Sequence, residues 1–165
     1  MRVLSVDPGY DRVGIAVLER VKDKETLLHS DCFVTKRFDE FSNRLISIGE
    51  EVERVIMIYK PEALALEKLF FTNNQKTAMG VAEVRGMLMY IGKKAKLSLF
   101  EYTPLQVKQG VTGSGASDKI QVSDMVTRLL KLPAKKRRDD EYDAIALGLT
   151  CLASARLQGV EKNGI

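Results

Sequence analysis

The stretch Val3–Leu18, VLSVDPGYDRVGIAVL, decides how the rest of the chain is read. Two apolar runs flank a polar turn, the pattern of a β-hairpin joined through Asp7–Arg12. Asp7 stands at the end of the first run. Turn chemistry alone explains an acid there, because Asp accepts backbone hydrogen bonds ahead of it and Gly tolerates unusual dihedrals. A chemical role requires that other acids arrive at the same place.

Working outward, residues 2–6 and 13–18 read as strands, and 26–34 as a third. From Phe38 to Tyr59 the residues Phe41, Leu45, Ile48, Val52, Val55, Ile56 and Tyr59 fall on one face of a helix, which Pro61 stops. Residues 63–66 form a short apolar run ending in Glu67, so a second strand terminates in an acid. A helix over 74–94 and a strand over 97–102 follow. The segment 110–116, GVTGSGA, reads as a flexible loop. Ser117 is placed to cap a helix running to Lys131. A basic linker over 132–138 leads into a final Ala- and Leu-rich helix from Asp139 to about Leu157. A meander followed by alternating strands and helices predicts an α/β fold, with a mixed five-stranded sheet and helices on both faces. Residues 1–157 are expected to form one domain and 158–165 a flexible tail.

The 165 residues are enough for one domain with a hydrophobic core. The apolar run at the start is broken at Asp7, which argues against a secretion signal, and no run reaches membrane-spanning length. Cys32 and Cys151 lie far apart and His29 is the sole histidine, so neither a zinc site nor a disulfide framework is expected. A reducing cytoplasm is the expected location. Charge is unevenly spread: residues 1–92 carry 13 basic and 14 acidic side chains, whereas 93–138 carry 11 basic and 3 acidic. That asymmetry favours a polyanionic partner such as nucleic acid.

If the first and fourth strands are parallel neighbours, Asp7 and Glu67 project from one sheet edge, where α/β proteins gather ligands. Asp140 and Asp143 are three apart at the start of the last helix and share a face. Asp139 and Asp140 also suit a helix N-terminus electrostatically. Asp143 is harder to explain that way, because it adjoins the apolar Ala144, Ile145 and Ala146. Four convergent carboxylates repel one another unless divalent cations separate them. Magnesium prefers such oxygen ligands, and two ions can activate water and stabilise the leaving oxygen of a phosphodiester.

The blocks VDPGYDRVG, ALALEKLFFTNNQ, YTPLQVKQGVTGSGASDKIQV and KLPAKKRRDDEYDAIALGL, in this order, resemble the RuvC-type Holliday junction resolvases over residues 2 to about 155. The resemblance implies a ribonuclease H-like fold, a homodimer, magnesium or manganese as cofactor with two ions per site, and paired nicking of four-way junction DNA. It places the four acidic ligands on Asp7, Glu67, Asp140 and Asp143, the Asp-x-x-Asp spacing selecting Asp140 over Asp139. It aligns Lys108 and Lys119 with basic residues near the active site, and Phe70 with an aromatic that probes the junction, Phe71 being adjacent. It also implies the RuvA–RuvB branch-migration complex as partner.

The surrounding residues suit that chemistry. Phe70 and Phe71 can stack on unpaired bases, and Asn73, Asn74, Gln75 and Lys76 can meet phosphates or base edges. Lys108 can neutralise the scissile phosphate. Lys119 lies at a helix N-terminus, a favourable phosphate position, and Arg137 and Arg138 are expected on backbone phosphates. Ala78, Gly80, Ala82 and Gly86, with Met79, Met87 and Met89, make the 74–94 helix a candidate dimer face. Three rivals remain: an RNA-processing nuclease of the same fold, an actin-like kinase or ATPase, and a non-catalytic junction-binding module.

Overall fold

The computed structural model describes residues 1–69 and 75–162, with side chains over 1–69 and 78–155. Strands β1 (Arg2–Asp7), β2 (Arg12–Val21) and β3 (Lys24–Val34) form the meander. Helix α1 (Phe41–Tyr59), strand β4 (Ala63–Glu67), helix α2 (Gln75–Lys94) and strand β5 (Ser98–Tyr102) follow. Helices α3 (Pro104–Thr112), α4 (Lys119–Leu130) and α5 (Asp139–Lys162) complete the chain.

The sheet order is β3-β2-β1-β4-β5, antiparallel through β3, β2 and β1 and parallel from β1 through β4 to β5. Alternation along the strands divides the core between the two faces. Leu4, Val6, Leu64 and Leu66 pack with Ile48, Val52 and Val55 of α1 and Val84 and Leu88 of α2. Val3, Ala63 and Ala65 pack on the other face with Val107 of α3, Val126 of α4 and Ile145, Leu147 and Leu152 of α5. Asp7 and Glu67 continue the second set by the same period of two, so both turn towards the α3–α5 layer. The parallel register pairs Val6 with Leu66, which brings the following Asp7 and Glu67 to one edge as neighbours.

Three local expectations need correction. The sequence predicts no element over 103–109 and a flexible loop over 110–116; instead α3 runs from Pro104 through Gly110 to Thr112. Its signal is present in the sequence: Thr103 and Gln106 form a reciprocal capping box, and Pro104 supplies a preset first turn. Gly113 ends the helix with a φ of 78°, a left-handed cap that suits glycine. The next turn is stitched by Thr112, whose hydroxyl accepts from the Ser114 N–H at 3.2 Å and bonds the Ser117 hydroxyl at 2.7 Å. The cap of α4 is Asp118, not Ser117, with a second capping box to Gln121. Helix α5 continues to Lys162, past the expected end near Leu157.

Candidate active site

The last helix reaches the sheet edge by close backbone approach. Gly14 lies opposite Asp7 in the β1–β2 register. A Cβ on Gly14 would sit inside the envelope of the Asp140 carbonyl oxygen and 3.2 Å from the Asp7 Cβ. One turn further along, the Ser5 hydroxyl donates to the Ala144 carbonyl at 2.7 Å. These contacts set Asp140 and Asp143 beside the strand-end acids. Asp7, Glu67 and Asp143 line one cleft with Lys108 of α3, Lys119 of α4, Pro104, Val107 and Val122.

The electrostatics record this convergence. Burial, then the charges of Asp143, Glu67 and Asp140, push the Asp7 carboxyl up to about 7 against the opposing pull of Lys119. Burial and the Asp143 charge raise Glu67. Burial also raises Asp143, although Lys119 opposes it. Lys119 Nζ donates to Asp143 Oδ2 at 3.1 Å. Its own burial favours proton loss, but the Asp143 charge and hydrogen bond outweigh that and raise it. Asp140 pairs with Arg12, Nε to Oδ2 at 3.4 Å, and receives the Cys32 thiol at 3.8 Å.

Among the described residues no three of His, Cys, Asp and Glu form a ready cage for one ion. The arginine on Asp140 and the lysine on Asp143 hold those carboxylates in ion pairs. The donor set nevertheless fits divalent cations: it is all oxygen, and its members raise one another's pKa values as anions lacking sufficient counter-charge do. Asp7 supplies a test of that crowding. Its folded pKa is above its unfolded value, so metal-free stability is full below about pH 4 and falls as pH rises through about 7. In EDTA at pH 8, Asp7→Asn is therefore expected to be more stable than the parent by on the order of a few kcal/mol. The gap should close towards pH 4; thermal unfolding at both pH values measures it, and equal midpoints at pH 8 would contradict the crowding.

Several basic contacts were not foreseen. Arg85 of α2 donates from Nε to the Glu67 carbonyl at 3.1 Å and pairs with Glu101, bracing the end of β4 from the opposite face. Arg44 of α1 is buried, donates to the Thr35 hydroxyl at 3.0 Å and the Tyr10 carbonyl at 2.7 Å, and pairs with Asp11. Its guanidinium also lies 4.9 Å from the Tyr10 ring centre. It thus holds the turn that follows Asp7.

The expected DNA contacts divide. Lys108 and Lys119 line the cleft. Arg138 is exposed, whereas Arg137 turns inward. Phe70, Phe71, Asn73 and Asn74 lie outside the described residues, as does the side chain of Lys76. On the candidate dimer helix, Gly80 faces the Tyr10 ring of its own chain, while nothing lies within 4 Å of a Cβ on Gly86 and Met79 is 67% exposed.

A mixed sheet in this order, with acids from β1, β4 and the last helix above its carboxyl edge, defines a nuclease of the ribonuclease H-like class. The family model of crossover junction endodeoxyribonuclease RuvC matches residues 3–151. The chain belongs to that family of metal-dependent Holliday junction resolvases. It is 40% identical over 146 residues to the RuvC protein of Petrotoga mobilis, covering 88% of this chain and 90% of the relative. With the RuvC protein of Thermosipho melanesiensis it shares 41% identity over 153 residues, 93% of this chain and 97% of the relative. The solved structure of T. thermophilus RuvC in complex with Holliday junction substrate superposes with a TM-score of 0.89 at 31% identity, over 96% of each chain. Among the described residues no helix is long and apolar enough to cross a membrane.

Proposed function

We propose that this resolvase acts as a homodimer on four-way junction DNA, each protomer hydrolysing one phosphodiester with two magnesium ions held by Asp7, Glu67, Asp140 and Asp143. The observation that carries this reading is the convergence of the strand-end acids and Asp143 in one cleft with Lys108 and Lys119. Bound there, divalent ions supply charge neutralisation and a more acidic water for attack on phosphorus. The protein's own part is positional. Asp7 and Glu67 are fixed by adjacent parallel strands, and Asp140 and Asp143 by a helix start pressed against β2. Lys108 and Lys119 offer the scissile phosphate positive charge in a partly dewatered cleft, where it acts more strongly than in bulk solvent. Asp143 would serve as one holder of such an ion, and Lys119, now 3.1 Å from Asp143 Oδ2, stands where its ammonium can meet a phosphate oxygen in the same cleft.

The basic excess over 93–138 and the exposed Arg138 suit backbone contacts that carry no sequence information. Phe70 and Phe71 are assigned to opening the crossover, with Asn73, Asn74 and Lys76 beside them. The exposed stripe with Gly86 and Met79 on α2 supports pairing with a second copy, and two sites related by a two-fold axis match two strands of opposite direction. The RuvA–RuvB complex is the corresponding partner.

The test is incision of labelled four-way junctions, linear duplexes and RNA–DNA hybrids of matched sequence. Symmetric nicks in the junction alone, dependent on Mg2+ and supported by Mn2+, are expected. Preferential hybrid cleavage would favour the RNA-processing alternative, and metal-independent incision would remove the ion-based scheme.

A further inference from the structure

We propose that Arg137 is a positioning residue that acts through Glu141, and that their buried ion pair locks the first turn of α5 so that Asp140 and Asp143 hold their place. This rests on the reading of those two aspartates as metal ligands. The Arg137 and Glu141 side chains are only 6% and 5% exposed, although both lie in a strongly charged surface segment. Arg137 Nε stands 3.3 Å from Glu141 Oε1, and its Nη1 donates to the Pro133 carbonyl at 3.3 Å. From the sheet side, the Ser30 hydroxyl of β3 donates to the same Glu141 Oε1 at 2.6 Å.

The placement follows from helix geometry. Residues 140 and 143 share a face, whereas residue 141 is turned by roughly 100° from 140. Glu141 therefore points inward when the two aspartates point to the cleft. It meets Ser30, whose register partner on β2 is Ala16, two residues from the Gly14 that receives the Asp140 backbone. Sheet and helix start are thus joined by a polar contact beside a steric one. A carboxylate buried here needs a counter-charge, and Arg137 supplies it from the residue pair just before the helix. Removing one member of such a pair leaves an uncompensated buried charge, whereas replacing both by apolar groups is often tolerated. The arginine that reads from sequence as one more phosphate contact is engaged with the protein itself.

The experiment uses the full-length protein, a four-way junction and Mg2+. Single-turnover cleavage at saturating enzyme, junction affinity across a salt series, and amide exchange of residues 140–144 in EDTA are measured for Arg137→Met, Glu141→Gln and the double variant Arg137→Met/Glu141→Leu. For Arg137→Met the expected result is a cleavage rate lower by on the order of 10- to 100-fold. Junction affinity and its salt slope should be unchanged and exchange in the first turn of α5 faster. The double variant should recover most of the rate, and it carries the test if the single variant does not fold. Arg138→Met, the comparison, should weaken junction binding. Weakened binding with a salt slope reduced by about one and an undiminished rate in Arg137→Met would make Arg137 a phosphate contact and overturn the proposal. A folded double variant as slow as the single one would overturn it too. Asp143→Asn separates the two levels. If it is inert while Arg137→Met cuts normally, only the clamp fails; if it cuts normally, the reading of the site fails.

Discussion

Asp7→Asn is expected to bind four-way junctions as tightly as the parent protein and to cut them slower by several orders of magnitude. The substitution nearly preserves shape and removes one anionic oxygen from the centre of the set. Asp7 is the position on which the other three carboxylates all act, so its loss reduces the site's capacity for divalent cations more than loss of an outlying acid would. Affinity should persist because it comes from the basic surface and its counterion release. Glu67→Gln, Asp140→Asn and Asp143→Asn belong to the same class. Asp139→Asn is the internal control, since Asp139 adjoins Asp140 in the first turn without being assigned to the metals. Single-turnover cleavage beside equilibrium binding separates the two quantities. Parent-like cleavage by the Asp7 or Glu67 variant would remove the carboxylate centre, and greater damage from Asp139→Asn would move the assignment by one residue.

Gly14→Ala is expected to slow cleavage by a smaller factor, on the order of a hundredfold, without touching a charge. Its Cβ would meet the Asp140 backbone carbonyl, which cannot rotate aside as a flexible side chain can. Either β2 or the start of α5 must shift. Overpacking of this kind costs about 1–3 kcal/mol, and an acid displaced by about 1 Å can lower a rate on the order of a hundredfold. Thermal unfolding and cleavage at a temperature where the variant remains folded measure the two losses. A variant with unchanged stability and rate would show that the close approach at Gly14 does not set the helix position.

Asp7, Glu67 and Asp143 were legible in the sequence because each stands out against an apolar run, whereas the choice of Asp140 over Asp139 came from the family's Asp-x-x-Asp spacing. Asp7 and Glu67 end apolar strand runs, and Asp143 interrupts an apolar helix face. The sheet and its helices on both faces followed from the order of those runs. Helix α3 was missed because Gly110 and the glycines beyond it outweighed the Thr103–Gln106 box in a short segment. The arginines were less legible for a different reason. Nothing in the local sequence marks Arg12, Arg44 or Arg85, and Arg137 was expected on backbone phosphates; only tertiary contacts show that the four pair with Asp140, Asp11, Glu101 and Glu141 respectively. Long side chains reach partners that local sequence does not specify. Phe70, Phe71, Asn73 and Asn74 lie outside the described residues, so the assignment of Phe70 stands on the family resemblance and that of the other three on their side-chain chemistry and their place beside it.

The alternation that turns Asp7 and Glu67 to the same face makes this centre sensitive to insertions and deletions in a position-dependent way. A residue added in a connection changes only the path between elements. A residue added inside β4, between Ala63 and Glu67, would rotate the glutamate to the α1–α2 side or force the strand out of register with β1. Either outcome dismantles the site with every acid still present. A single-codon insertion inside β1 or β4 is thus expected to turn the nuclease into an inert scaffold, whereas one in a connection is expected to spare the site.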